Sequence, residues 1–310
     1  MHSTAIAQAT PSRVLRVLAY SAIYVLWGAS FLGIRVVVAS MPPLLAAGFR
    51  FLVAGLALFL WALARKVPFP KIDEWRSALI LGVGMFACDY GPLFWAEKRV
   101  ASGIAAVISA LIPVWIAIFE WARSRRAMPK RLLLGTVCGV GGVAALSFAS
   151  GHGAQSRIEW LPMAALLFGT FAWAFGTIWS QKVPLPKSKP MAAGIQMLVG
   201  GTALTMLSFA TGDARGFAMA RVTAGVALAM AYLIVGASIL AFTAYVWLLG
   251  HDSPTRVASY AYVNPVVAVL LGWTLGGEKL SLEIVLGMLL VLAGVMAVLG
   301  EKRGNSRERA

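Results

Sequence analysis

The chain has 310 residues, of which 60% are hydrophobic and 13% charged, and its mean hydropathy is +0.80. A soluble domain carries about 25% charged residues, so this composition excludes an ordinary water-soluble protein and predicts an all-helical integral membrane protein. The net charge of +15 lies in short basic clusters between apolar stretches, which indicates loops at a membrane surface and excludes nucleic-acid binding. Cys88 and Cys138 lie within apolar segments and indicate neither a disulfide nor a metal site.

Ten apolar segments approach the length of about 20 residues that a membrane-crossing helix needs. In chain order they are 17–39, 43–63, 77–96, 101–122, 131–149, 160–181, 190–210, 222–249, 257–275 and 284–300. The first is too long for a cleaved signal peptide and predicts a retained helix. The loops on the side of both termini hold 19 Lys and Arg residues and the opposite loops hold 6, which predicts a plasma-membrane protein with both termini in the cytoplasm.

The chain contains an internal repeat. At an offset of 146, residues 44–55 match 190–201 at six of twelve positions, and Trp27 pairs with Trp173. At an offset of 152 the paired landmarks are Gly84 and Gly236, Trp95 and Trp247, Pro113 and Pro265, Gly135 and Gly287, and Gly142 and Gly294. We therefore predict two five-span repeats, 15–149 and 158–300, flanked by cytoplasmic tails 1–14 and 301–310.

Because five is an odd number, the second repeat must enter the membrane in the opposite orientation to the first. Inverted repeats are typical of secondary transporters, in which the substrate site lies near the membrane midplane between the halves. The two fused repeats supply both halves, so a monomer should suffice. Gly135, Gly142, Gly287 and Gly294 are predicted to be helix-packing positions without a ligand role.

Several residues near mid-depth are candidates for the site. Trp27 and Trp173 lie about 15 to 20 Å into their spans, by a rise of 1.5 Å per residue. Pro113 and Pro265 each free the carbonyl four residues earlier, at Ser109 and Ala261, which indicates a packing kink, a cavity lining or both. Tyr260 and Asn264 share a helix face, and Asn264 is either a hydrogen-bonding link between helices or a substrate ligand.

The charged residues within the spans are Arg35, Arg50 and Asp89, with Glu97 and Glu120 near span ends. An ionisable group inside a membrane is a functional candidate. Arg50 and Asp89 lie at similar depths, about 10 to 12 Å below the outer surface. Two interpretations stay open: an ion pair that joins spans 2 and 3, or a cavity that Arg50 or Asp89 faces, with Asp89 titrating to couple transport to protons. The position equivalent to Arg50 is Gln196, so this charge belongs to one half only.

The ordered motifs resemble the EamA-type transporters of the drug/metabolite transporter superfamily, and the YedA-like branch in particular. The matching segments are LWGAS at 26–30, MPP at 41–43, GFRF at 48–51, AE at 96–97, ASGIAA at 101–106, WAFG at 173–176 and GGE at 276–278. The resemblance implies ten helices in two EamA repeats, an inner-membrane location and export of amino acids, metabolites or drugs. It also implies a cavity lined mainly by spans 1, 3, 4, 6, 8 and 9. Asp89 departs from the usual polar pair of this family, which leaves the substrate open.

The sequence thus predicts a secondary active transporter of small molecules, with an exporter favoured and an importer or exchanger of the same fold as the alternative. The predicted substrate-binding residues are Trp27, Arg50, Asp89, Trp95, Ser109, Trp173, Tyr260 and Asn264, with Pro113 and Pro265 as hinges. An intramembrane enzyme is the remote alternative, because His2, His152 and His251 all lie in the tail or loops and no catalytic motif is visible. No cofactor or metal is predicted.

Overall fold

The computed structural model describes residues 13–124, 127, 129–149 and 160–299, and within these ranges the chain is all-helical. This confirms the all-helical part of the predicted fold class. The predicted cytoplasmic tails, 1–14 and 301–310, fall outside the described residues except for positions 13 and 14.

The long helices account for nearly all of the described chain. In order they are α1 (Arg13–Val38), α2 (Pro43–Ala64), α3 (Ile72–Glu97), α4 (Ser102–Arg123), α5 (Lys130–Ala149), α6 (Trp160–Trp179), α7 (Lys189–Thr211), α8 (Ala224–Leu249), α9 (Tyr260–Thr274) and α10 (Leu282–Leu299). Among the described residues, α1 to α4 and α6 to α8 are long and apolar enough to cross a membrane, and α9 and α10 contain shorter apolar segments. The total of ten spans stays a prediction.

Helices α2 and α7 pack closely through glycines. A β-carbon placed on Gly48 would lie 2.9 Å from the Thr205 nitrogen, and one placed on Gly194 would lie 3.0 Å from the Phe59 nitrogen. These two contacts exchange places under the offset of 146. The numbering rises along α2 where it falls along α7, so the two helices run antiparallel, and the missing side chains let their backbones approach.

Helices α5 and α10 repeat this arrangement. A β-carbon on Gly142 would lie 2.9 Å from the Gly287 carbonyl oxygen, and one on Gly294 would lie 2.7 Å from the Gly135 carbonyl oxygen. The four glycines therefore mark an antiparallel helix contact, which confirms their predicted packing role.

Two π-helical segments were not predicted. They span Gly82–Tyr90 within α3 and Leu233–Leu240 within α8, and these ranges overlap under the offset of 152. A π-helical turn widens a helix and often occurs at a functional site. The first segment ends at Asp89 and Tyr90.

The two predicted hinge prolines differ in their surroundings. Helix α4 is interrupted at Ala110 and Leu111, between its parts Ser102–Ser109 and Ile112–Ser124, and Pro113 follows directly. Helix α9 instead continues through Pro265. Its chain break lies upstream, where a turn at 258–259 separates α9 from the short helix Pro254–Val257.

Candidate functional site

A small cavity lies among α1, α3, α4, α6 and α9, with a volume of about 50 Å³. This is room for a few water molecules, so the helices are nearly closed around it in this conformation. The lining residues are Trp27, Ser30, Phe31, Asp89, Tyr90, Leu93, Ala106, Ser109, Ala110, Ile112, Trp173, Tyr260, Ala261, Asn264 and Pro265. We call this space the central cavity.

The central cavity brings together most of the side chains that the sequence singled out. Six of the eight predicted binding residues line it: Trp27, Asp89, Ser109, Trp173, Tyr260 and Asn264. The predicted hinge Pro265 lines it as well. Arg50, Trp95 and Pro113 are outside the lining. Substrate binding by any of these residues stays a prediction.

Trp27 is the centre of the aromatic wall. Its ring centroid lies 5.8 Å from Trp173, 5.0 Å from Tyr260 and 5.1 Å from Tyr245, and these separations are typical of favourable aromatic pairs. Its indole nitrogen donates a hydrogen bond of 2.9 Å to the carbonyl of Ala237 in the π-helical segment of α8. This ring of the first copy is therefore held in place by side chains and backbone of the second copy.

Tyr245 of α8 was missed by the sequence reasoning. It lines a second space of about 440 Å³, bordered also by Ser180, Lys189 and Gly250 near the ends of α6, α7 and α8; we call this space the vestibule. The Tyr245 ring contacts Trp27 and also lies 5.6 Å from Trp173, and both of these rings line the central cavity. Tyr245 thus forms part of the wall between the two spaces.

Asp89 supplies the one carboxyl group among the described residues that line the central cavity. It lies within the π-helical segment of α3 and against Gly169 of α6, where a β-carbon would lie 2.8 Å from the carboxylate Oδ1. The absence of a side chain at Gly169 leaves this oxygen its space. A carboxylate between aromatic rings can attract a positively charged group, whose charge the rings also favour.

Asn264 joins two helices at the edge of the central cavity. With its amide oriented so that its donors are satisfied, the amide nitrogen donates to the carbonyl oxygens of Tyr24 at 3.0 Å and Tyr260 at 3.2 Å. Tyr24 belongs to α1, and its hydroxyl also hydrogen-bonds Ser259 at 2.7 Å. Asn264 therefore acts as a hydrogen-bonding link between α1 and α9, the first of its two predicted interpretations.

Arg50 is fully buried beside the central cavity rather than in its wall. Its Nε donates a 2.8 Å hydrogen bond to the Ser238 hydroxyl of α8, and its guanidinium carbon lies 5.0 Å from the Tyr90 ring centroid. The Tyr90 side chain contributes to the cavity wall. No ion pair joins Arg50 to Asp89 in the part of the chain that the structure describes, which corrects that interpretation: equal depth did not bring the two side chains together.

Trp95 faces a different neighbour. The guanidinium carbon of Arg99 lies 4.2 Å from its ring centroid, so the ring is directed toward the end of α3 instead of the central cavity.

A second cluster of charged side chains lies where α3 ends. Glu97 is fully buried, and neither of its carboxyl oxygens has a hydrogen-bond partner. Arg35 of α1 donates to the backbone carbonyls of Glu97 and Val100. Glu278, beyond α9, accepts a 2.8 Å hydrogen bond from the backbone nitrogen of Ser102. We call Arg35, Arg50, Glu97 and Glu278 the charged cluster.

These features define a multi-pass helical membrane protein with a small cavity between its helices. Comparison with known proteins gives the family: residues 16–148 and again residues 160–300 match the EamA-like transporter family. The chain therefore belongs to this family and contains two copies of its domain, as the motifs predicted.

Individual relatives agree with this assignment. The chain is 37% identical over 282 residues to the uncharacterized inner membrane transporter YedA of Escherichia coli K12, covering 90% of this chain and 89% of that protein. It is 28% identical to a probable amino-acid metabolite efflux pump of Salmonella typhimurium, covering 88% and 91%. A solved crystal structure with a TM-score of 0.66 and 20% identity covers 96% of this chain and 100% of its own, which shows a shared fold. The YedA-like branch and a multi-pass inner-membrane protein are thereby confirmed.

Proposed function

We propose that the protein is a secondary active transporter that exports small organic molecules through the central cavity by alternating access. The observation that carries this proposal is the position of the cavity between the two family copies. Helices α1, α3 and α4 of the first copy and α6 and α9 of the second contribute its walls. A rocking motion of one copy against the other would therefore open and close it.

The antiparallel contacts support an inverted relation between the copies. Gly48 meets Thr205 as Gly194 meets Phe59, and equivalent residues exchange across the α2–α7 pair. Such self-complementary contacts are what a two-fold axis produces. From these contacts and the excess of basic residues on one side, we propose ten spans and cytoplasmic termini. We also propose that the vestibule opens to the cytoplasm.

The chemistry of the central cavity favours a substrate with a positively charged amine. Asp89 supplies a carboxylate, and the rings of Trp27, Trp173 and Tyr260 supply π faces within the same lining. A cation next to such rings and an acid gains from both. Amino acids and many drugs carry an amine, and the Salmonella relative is described as an amino-acid metabolite efflux pump.

A reconstituted system tests the proposal. Purified protein in proteoliposomes is given a panel of amine-bearing solutes and matched solutes without the amine, with and without a pH gradient. We expect counterflow of at least one amine-bearing solute. For an exporter, net movement should be faster from the cytoplasmic face to the outer face than in the reverse direction. Absence of movement for every solute in both directions would contradict transport.

Asp89→Asn tests the substrate chemistry. Losing a hydrogen bond between charged groups costs about 1.5 to 3 kcal/mol, so KM for the amine-bearing solute should rise roughly 10- to 100-fold. The matched control is Asp73→Asn, since Asp73 pairs with Arg76 on the exposed surface of the same helix. Equal KM values for the two variants would exclude Asp89 as the amine contact.

A further inference from the structure

The Glu97 carboxyl, at the end of α3, is a buried polar group outside the central cavity. It is 0% exposed, and both Oε atoms lack a hydrogen-bond donor. An ionised carboxylate without donors in a dry site is strongly destabilised, and such a group takes up a proton instead. A neutral, protonated carboxyl fits such surroundings better than a carboxylate does.

The charged neighbours of Glu97 make their hydrogen bonds to groups other than its carboxyl. Arg35, Arg50 and Glu278 face it from α1, α2 and the segment after α9. Arg35 donates to backbone carbonyls, Arg50 donates to Ser238, and Glu278 accepts from the start of α4. Helix α6 and the first half of α4, which also pack against this end of α3, contain no ionisable residue.

Arg50 is the cation that a shifted α3 could bring to Glu97. Its Nη1 and Nη2 are buried without a hydrogen-bond partner, and its guanidinium carbon lies 5.9 Å from the Phe94 ring. Phe94 precedes Glu97 by three residues and so lies on the same side of α3. A displacement of α3 along α2 by three residues, about 4.5 Å, would replace the Phe94 ring with the Glu97 carboxylate.

We propose that Glu97 is a proton-binding site, and that a proton bound there holds the outer side of the central cavity closed. Glu97 lies one turn, about 6 Å, beyond the cavity-lining Leu93. When the proton leaves to the outer solution, the carboxylate must find Arg50 or water, and both require α3 to move away from its closed position. Outer pH and outer opening are thereby linked.

This inference rests on the proposed alternating access, but its test measures accessibility and not transport, so the two can fail separately. The parent for labelling carries Cys88→Ala, Cys138→Ala and Leu93→Cys. Its reaction with a membrane-impermeant maleimide is followed from the outer side in spheroplasts at a series of pH values. The same series is repeated with Glu97→Gln, which imitates the protonated carboxyl, and the ratio of the two rates cancels the pH dependence of the thiol itself.

We expect the parent to react faster than the Glu97→Gln variant as the pH rises, by roughly tenfold per pH unit where the slope is steepest. Adding Arg50→Gln should move the rise to higher pH, because the cation that receives the carboxylate is gone. Asp73→Asn, which removes a surface carboxyl of α3, should leave the curve in place. A ratio that stays constant with pH overturns the proposal.

An infrared measurement tests the bound proton directly and needs no cysteine. The carbonyl stretch of a protonated carboxyl should lose intensity in Glu97→Gln and keep it in Asp73→Asn. An unchanged band in Glu97→Gln would also overturn the proposal.

Discussion

Helices α3 and α8 occupy equivalent places in the two copies, yet they differ in chemistry. Both contain a π-helical segment at the same position, and both bring an aromatic ring, Tyr90 or Phe242, onto the Phe86 ring. The acids differ: the position of Asp89 is Ala241 in α8, and the position of Glu97 is Leu249.

This difference separates two requirements of the molecule. The repeated features, which are close glycine contacts and widened turns, concern how helices approach and move. The unrepeated features are the charges, and they concern what the cavity binds and what controls its opening. Duplication thus accounts for the motion that we propose, while Asp89 and Glu97 have no acidic counterpart in the second copy.

The strongest test of the shared framework acts on the α2–α7 contact. Gly48→Val and Gly194→Val each place a side chain against backbone of the opposite helix, and overpacking without room to relax should cost about 3 kcal/mol or more. If the copies are related by a two-fold axis, both variants should lose stability. Unfolding in mixed micelles measures both.

Ala57→Val is the matched control, because Ala57 lies exposed on the same helix α2 and its substitution should change stability by less than about 0.5 kcal/mol. A large cost for Gly48→Val and none for Gly194→Val would argue against symmetric packing.

A second test concerns the wall between the vestibule and the central cavity, to which the second copy contributes the ring of Tyr245. Tyr245 contacts three rings of the aromatic wall, whereas the equivalent first-copy residue is Leu93. Tyr245→Ala should join the vestibule to the central cavity, so that substrate leaks down its gradient and uphill transport falls at least about tenfold.

Tyr245→Phe keeps the ring and loses only the 2.7 Å hydrogen bond to Thr177, so its uphill transport should stay within about threefold of the parent. Retained uphill transport in Tyr245→Ala would show that the wall does not depend on this ring.

The paired landmarks marked part of the site in advance. Trp27 and Trp173 recur at an offset of 146 and Pro113 and Pro265 at 152, and three of these four residues line the central cavity. Tyr245 has no aromatic counterpart in the first copy, so nothing in the repeat marked it. The π-helical segments arise from a shift of backbone hydrogen bonds, which leaves no residue pattern to recognise.

The charges show a different limit. A rise of 1.5 Å per residue gives the depth of a side chain, but it does not give the direction in which that side chain points around the helix. Arg50 and Asp89 share a depth, yet Asp89 points into the cavity and Arg50 reaches Ser238. The direction in which each side chain points is decided by tertiary contacts. For the same reason, the burial of Glu97 could not be predicted from the sequence.

The smallest expected effect contrasts how the two copies cap equivalent helix starts. The start of α4 is capped from a distance by Glu278, which accepts from the Ser102 nitrogen at 2.8 Å and, more weakly, from the Gly103 nitrogen. The equivalent start at Pro254 is capped locally by the hydroxyl of Ser253, which accepts from the Arg256 nitrogen at 3.3 Å.

Glu278→Gln keeps an acceptor oxygen but loses the charge at the helix N-terminus, so we expect a cost of about 0.3 to 1 kcal/mol. Ser253→Ala loses its acceptor entirely and should cost about 1 kcal/mol. Unfolding in micelles at low and high salt separates the two, because salt screens only the charged cap. A salt-independent loss in Glu278→Gln would show that the cap at α4 acts through its hydrogen bonds alone.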